Sequence, residues 1–243
     1  MPKILIIVPA YNEAGNIGRT VEQIRGAGVG ADVLVIDDGS KDATAREARR
    51  HGAMVVSLPF NLGIGGAVQT GFQYADQGGY DIAVQIDGDG QHDAAFLPQL
   101  LAPVTAGGAD MVIGSRFMRA SDGFKSTFGR RVGIRFFVYL INVLTGAGVT
   151  DPTSGFRAHN KKLIAVFARY YPHDFPEPEA IVAACRLNAV IKEVPVIMRP
   201  RAAGSSSIRY FKSMYYMLKV TFAILLHMIR KRGQGEGIIK RRV

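Results

Sequence analysis

The chain has 243 residues, 48% of them hydrophobic, enough to bury one large core. Its single cysteine, Cys185, excludes an internal disulfide framework and a cysteine-built zinc site, and it fits burial in a helix within a reducing compartment. The formal charge of +10 asks for an anionic partner, yet no helix-turn-helix, zinc-finger or aromatic RNA-binding signature accompanies it. Nucleic acid is therefore set aside in favour of phosphorylated substrates or a membrane surface.

Lys3 to Val8 is a near-continuous β-branched and Leu run, the pattern of a parallel strand covered on both faces, and it stops at Pro9-Ala10-Tyr11-Asn12-Glu13. The apolar part is too short for a signal-peptide core and no small-residue cleavage site follows it, so a cytosolic location is expected. A helix is predicted from about Ala14 to Arg25. Val33 to Ile36 reads as the second strand, closed by Asp37-Asp38-Gly39-Ser40, with Ser40 or Asp42 placed to cap a helix running towards Arg50.

Val55 to Leu58 is the third strand. The loop Asn61-Leu62-Gly63-Ile64-Gly65-Gly66 opens a helix through about Asp76, and its backbone amides could approach a phosphate. The loop departs from the dinucleotide fingerprint because Val68 stands where the third glycine would be. Asp81 to Ile86 reads as a buried fourth strand. After it, Asp93 can cap a helix to about Thr105, which requires Pro98 to lie near the first turn. Met111 to Gly114 is a further strand, ending at Ser115-Arg116. Strands alternating with helices in this way imply an α/β fold, a mostly parallel sheet with helices on both faces.

Between the fourth strand and its helix lies Asp87-Gly88-Asp89-Gly90-Gln91-His92-Asp93. Glycine lets the chain turn sharply, so Asp87, Asp89 and the Gln91 amide can be brought round one point. Hard oxygen ligands of this kind suit Mg²⁺ or Mn²⁺, and ligands of open α/β sheets sit beyond the carboxyl ends of strands. A solvated turn rich in Asp and Gly is the competing reading.

Two later segments bear on a membrane. Val132 to Leu144 is almost wholly apolar and is flanked by Arg130, Arg131 and Arg135, which fits membrane contact or a buried helix. From Ile208 to Arg232, Ile208, Phe211, Tyr215, Leu218, Phe222, Leu225 and Ile229 form one apolar stripe at helical spacing. Its uninterrupted run, Val220 to Leu226, is far short of the ~20 apolar residues of a bilayer span. An interfacial helix with its basic end Arg230-Lys231-Arg232 near anionic headgroups is expected, packing on the preceding α/β domain or on a second subunit being the alternative. The expected division is residues 1–207 as the α/β domain and 208–243 as an amphipathic, basic extension.

The motifs Val8-Pro9-Ala10-Tyr11-Asn12-Glu13, Ile36-Asp37-Asp38-Gly39-Ser40, Asn61-Leu62-Gly63, Asp87-Gly88-Asp89-Gly90-Gln91-His92, Gly114-Ser115-Arg116, Ser154-Gly155-Phe156-Arg157, and Arg201 with Gly204-Ser205-Ser206 occur in this order. Together they resemble the family 2 glycosyltransferases of the GT-A fold, and within them the polyprenyl-phosphate sugar synthases typified by dolichol-phosphate mannose synthase. The resemblance implies a donor pocket of Pro9, Tyr11, Glu13 and Asp38, with Gly63, Gly88 and Ser206 also on the donor. It implies Asp87, Asp89 and Gln91 at a Mg²⁺ or Mn²⁺ ion beside the diphosphate, and Arg116 and Arg201 as phosphate clamps.

Implied, too, is an inverting transfer from a nucleoside-diphosphate sugar to a polyprenyl phosphate by a peripheral protein at the cytoplasmic membrane face. A homo-oligomer or a small integral membrane partner is conceivable. In Asp174-Phe175-Pro176-Glu177-Pro178-Glu179, Glu179 fits a helix-start glutamate of the lipid-phosphate branch, whereas the two prolines depart from that branch. The three carboxylates there leave open a saccharide hydroxyl acceptor, which would need a general base. A non-catalytic sugar-nucleotide-binding subunit is the remaining alternative.

Overall fold

A computed structural model describes residues 1–118, 128–173, 176–199 and 221–222. In chain order the elements are β1 (Ile4–Ala10), α1 (Ile17–Gly26), β2 (Asp32–Asp37), α2 (Thr44–Arg50), β3 (Met54–Ser57), α3 (Gly63–Gln77) and β4 (Ile82–Gln85). Then follow α4 (Leu97–Thr105), β5 (Met111–Ser115), α5 (Phe128–Thr145), β6 (Arg157–Asn160), α6 (Lys161–Phe167), α7 (Pro176–Arg186) and β7 (Ile191–Pro195). The strands form one sheet in the order β3-β2-β1-β4-β6-β5-β7. Only β6 runs against its neighbours, β4 and β5.

The near-continuous apolar run of β1 is explained by burial on both faces. Leu5 and Ile7 enter a core shared with α3, α5, α6 and α7, while Ile4, Ile6 and Val8 enter another shared with α1 and α4. The first helix begins at Ile17 rather than Ala14 because the Glu13 carbonyl accepts the amides of Asn16 and Ile17, closing a turn before the helix starts. Pro98 occupies the first turn of α4, where its missing N–H removes no intrahelical bond. Cys185 lies half-buried on α7.

Strands β6 and β7 lie outside the predicted elements. Arg-Ala-His-Asn has no β-branched residue and no apolar alternation, so its strand state is imposed by its neighbours. The reversal of β6 has a structural consequence: its first residue, Arg157, lies level with Gln85 of β4 and Ile113 of β5. The end of the sheet where the parallel strands finish thus also receives the start of β6. No helix of the described residues is long and apolar enough to cross a membrane. The proposed extension 208–243 lies outside the described residues apart from Thr221 and Phe222.

Candidate active site

The loops after β1, β2 and β3 are tied together by side chain to backbone hydrogen bonds. Asn12 N donates to Ser40 Oγ (2.9 Å), Lys41 N to Asn12 Oδ1 (2.8 Å), Glu13 N to Thr44 Oγ1 (2.9 Å) and Ala14 N to Asp42 Oδ2 (3.1 Å). Asn12 takes a positive φ of 54° to make this turn. Of the two predicted caps, Asp42 accepts from Thr44 N at the start of α2 (3.0 Å), while Ser40 is used on the first loop. Tyr11 stands at the rim, 44% exposed, and Pro9 is buried beneath it. The Glu13 carboxylate accepts from Asn16 Nδ2 (2.7 Å).

Asp38 is buried and reaches across to the loop before α3, its two oxygens accepting the amides of Leu62 (2.7 Å) and Gly63 (2.9 Å). Burial raises its pKa above the usual carboxylate value, the two amides pull the other way, and the charge of Asp37 adds to the rise. This corrects the expectation that this loop offers free amides to a phosphate: the first two at the helix start are held by Asp38. Gly63 sits at φ 80°, a conformation that suits glycine.

The acidic turn docks on the end of β1. Gly88 N donates to the Pro9 carbonyl (3.3 Å), and a β-carbon on Gly88 would lie 3.0 Å from that oxygen and 3.2 Å from Ala10 Cβ. Gln91 N donates to Asp89 Oδ1 (3.0 Å), which fixes the tip. His92 is buried against Phe156, ring centroids 5.3 Å apart, and its Nε2 lies 3.1 Å from Asp87 Oδ2. Burial disfavours the Asp87 charge, but the His92 hydrogen bond and the charges of His92, Arg116 and Arg157 outweigh it and hold the carboxyl below its usual range. On the far side Arg199 N donates to the Gln91 carbonyl (2.8 Å), Gln91 Nε2 to the Arg199 carbonyl (3.4 Å), and Arg199 Nη2 pairs with Asp93 (2.7 Å).

Arg116 differs from expectation. It is 4% exposed, and the edge of its guanidinium expected to grip phosphate faces Asp151 instead, with Nε to Oδ2 at 2.6 Å and Nη2 to Oδ1 at 2.7 Å. Its backbone amide also donates to Asp151 Oδ2 (3.1 Å). Arg116 bears on the site through its charge at Asp87.

Arg157 is a site residue that the sequence reading left inside a motif without a role. Fully buried, it donates to the carbonyls of Ser154 (2.7 Å), Glu177 (2.7 Å) and Pro152 (2.9 Å), tying the loop before β6 to the start of α7. Burial raises the pKa of Glu177; the charge of Arg157 opposes this and that of Asp87 adds to it, so Glu177 shares the field of the acidic turn. Glu179 is buried on the same helix. Arg201, Ser206, Gly204 and Asp174 lie outside the described residues.

Comparison with known proteins adds the family. The sequence model described as glycosyl transferase family 2 matches residues 5–167. The undecaprenyl-phosphate mannosyltransferase of Micrococcus luteus is 31% identical over 215 residues, covering 84% of this chain and 86% of that protein. The polyprenol monophosphomannose synthase of Mycolicibacterium smegmatis is 32% identical over 247 residues, covering 95% and 91%. Glucosyl-3-phosphoglycerate synthase from Mycobacterium tuberculosis, solved in complex with Mn²⁺, UDP-glucose and glycerol 3-phosphate, is alike in fold. It has a TM-score of 0.70 at 22% identity, over 93% of this chain and 80% of that one. The chain belongs to glycosyl transferase family 2 and is a glycosyltransferase of the GT-A fold.

Proposed function

We propose that the chain is a metal-dependent, inverting hexosyltransferase that moves a sugar from a nucleoside diphosphate to a polyprenyl phosphate. The observation that carries this is the docking of the acidic turn on the Pro9–Ala10 end of β1, through Gly88; in this reading Asp87 and Asp89 face a donor held by Pro9, Tyr11, Glu13 and Asp38. Two relatives named for polyprenyl-phosphate acceptors, matched over 86% and 91% of their length, support the choice of acceptor.

Among the described residues no group of three or more His, Cys, Asp or Glu side chains is placed to hold a metal ion. Two carboxylates and the Gln91 amide oxygen leave coordination positions for phosphate oxygens and water, which fits Mg²⁺ or Mn²⁺. Asp87, Asp89 and Gln91 would hold the ion, which supplies charge neutralisation for the departing diphosphate. Arg201 and Ser206, which lie outside the described residues, are assigned to the donor on the family resemblance alone. A lipid phosphate oxygen is already anionic, so it attacks the anomeric carbon opposite the diphosphate without a protein base and leaves an inverted linkage. The protein works at the cytoplasmic membrane face, held by α5 and by the amphipathic segment 208–232, alone, as a homo-oligomer or with a small integral membrane subunit.

One observation favours a second acceptor class: the half-buried Glu177, its pKa raised by desolvation, shares the field of Asp87 and could serve a saccharide hydroxyl as base. Radiolabelled sugar passing into organic solvent with prenyl phosphate as the only acceptor, and failing to do so with Asp89→Ala, is the expected result. Strict dependence on an added glycan would overturn the lipid acceptor.

A further inference from the structure

We infer that Glu193 of β7 is a positioning residue for sugar transfer, acting on the acidic turn through Asp151 and Arg116; this rests on the functional reading above. Glu193 stands opposite Ile113 in the β5–β7 ladder, and its carboxylate reaches the loop before β6. Oε2 accepts from Thr150 N (2.8 Å) and Thr150 Oγ1 (2.7 Å), and Oε1 accepts from Asp151 N (3.0 Å). Ser115 Oγ lies 2.6 Å from Thr150 Oγ1 on the β5 side. Three donors from one two-residue step on a single carboxylate fix where the Asp151 backbone sits.

Asp151, fully buried, then fixes Arg116 through the guanidinium edge and the backbone amide, and Thr153 Oγ1 adds a contact to Arg116 Nη2 (2.7 Å). The same strand continues to the other side of the acidic turn. Val196 N donates to the Ser115 carbonyl (2.9 Å), Arg116 Nη1 lies 3.6 Å from Met198 Sδ, and Met198 bridges His92. Glu193 thereby sets the register between Arg116 and the strip that grips Gln91 and His92. Shifting it moves a buried cation relative to Asp87 without touching any group that meets the donor.

An amide in place of this carboxylate has one oxygen for three donors and turns an N–H towards at least one of them. The test uses the full chain with Mn²⁺, a short polyprenyl phosphate, and GDP-mannose, UDP-glucose and UDP-N-acetylglucosamine in turn. Glu193→Gln is expected to lower kcat about ten-fold, the scale of an outer-shell loss, with donor KM within about two-fold. Arg116→Lys is expected to lower kcat as well, and the double variant to be no slower than Arg116→Lys alone, because the two act in series. Thr150→Val, which removes one of the three donors, should give a smaller drop that also vanishes in the Arg116→Lys background. An unchanged kcat in folded Glu193→Gln or Thr150→Val, or losses that add in the double variant, would overturn the role. Absence of turnover of any donor by wild type would overturn the functional reading instead.

Discussion

Gly155 lies against the carboxylate of Asp87 so closely that a β-carbon added to it would sit 2.9 Å from both carboxylate oxygens. Real β-carbon contacts do not come that near, so Gly155→Ala must push the Asp87 side chain away from His92 or shift the loop before β6. The displaced atoms are the far end of a side chain, which keeps the cost to the fold small and places it on the site. Gly155→Ala is expected to lower kcat by about ten-fold or more while the melting temperature falls by only a few degrees. Full activity in steady-state transfer assays would show that the position of Asp87 does not matter.

Asp38 provides a test of the loop architecture. Its two oxygens serve Leu62 N and Gly63 N separately, so Asp38→Asn can satisfy one amide and must oppose the other. The expected loss is about 1 to 3 kcal/mol of stability, the scale of an unsatisfied buried donor. Donor KM should rise as the Asn61–Gly63 loop moves off the Gly39 backbone, to which Phe60 and Asn61 are tightly packed. Urea unfolding and nucleotide-sugar saturation curves measure the two effects separately.

The difference between what the sequence discloses and what it hides follows from periodicity and from distance along the chain. β1, β2 and β4 are legible because burial on both faces favours mostly apolar runs rich in Ile, Leu and Val, and Pro98 marks its own position in the first turn of α4. β6 carries Arg157 and His159 at core positions and has no such signal; its strand state depends on partners about seventy residues earlier in β4. The acidic turn is legible as three carboxylates spaced by glycine. The side-chain ties around the site are not, because Arg116–Asp151, Asp38–Leu62 and Glu193–Thr150 join positions whose proximity depends on the finished sheet. Arg116 misled for the same reason: a phosphate clamp and half of a buried ion pair have the same sequence.

His159 gives the fold an acid-sensitive point. Its ring is fully buried edge-on to Phe72 and Phe167, with neither nitrogen in hydrogen-bonding geometry. Burial, with the charge of Arg157 adding and the Ala83 backbone opposing slightly, pushes its pKa down to about 3. The unfolded chain takes up a proton near the ordinary value of about 6.5 that the native state refuses until about pH 3. Stability attributable to this residue is thus intact above the unfolded value and is lost as pH falls through that window, by up to about 1.4 kcal/mol per unit. His159→Phe, which keeps the aromatic edges, should flatten the decline. Urea unfolding at about pH 5 and about pH 7.5 makes the comparison, and equal pH dependence in both proteins would remove His159 as the cause.

Helix α5 is apolar on two faces, and the core accounts for only one of them. Ile134, Phe137 and Ile141 are buried, while Phe136, Tyr139 (70% exposed) and Val143 (64% exposed) form a second stripe at steps of three and four residues, beside the exposed Arg135. A buried helix has no use for the outer stripe, but a helix resting on a bilayer does, with the guanidinium at headgroup level. Replacing Phe136, Tyr139 and Val143 together by Glu is expected to weaken pelleting with phosphatidylglycerol vesicles by more than about ten-fold, since burying one such side chain is worth about 1.5 to 3 kcal/mol. Transfer to a long-chain lipid phosphate should fall in parallel. Thermal stability and acceptor-independent donor hydrolysis should hold, because the inner face of the helix is untouched. If pelleting survives the triple substitution, the outer stripe of α5 does not carry membrane contact, and the segment 208–232 becomes the next target for the same assay.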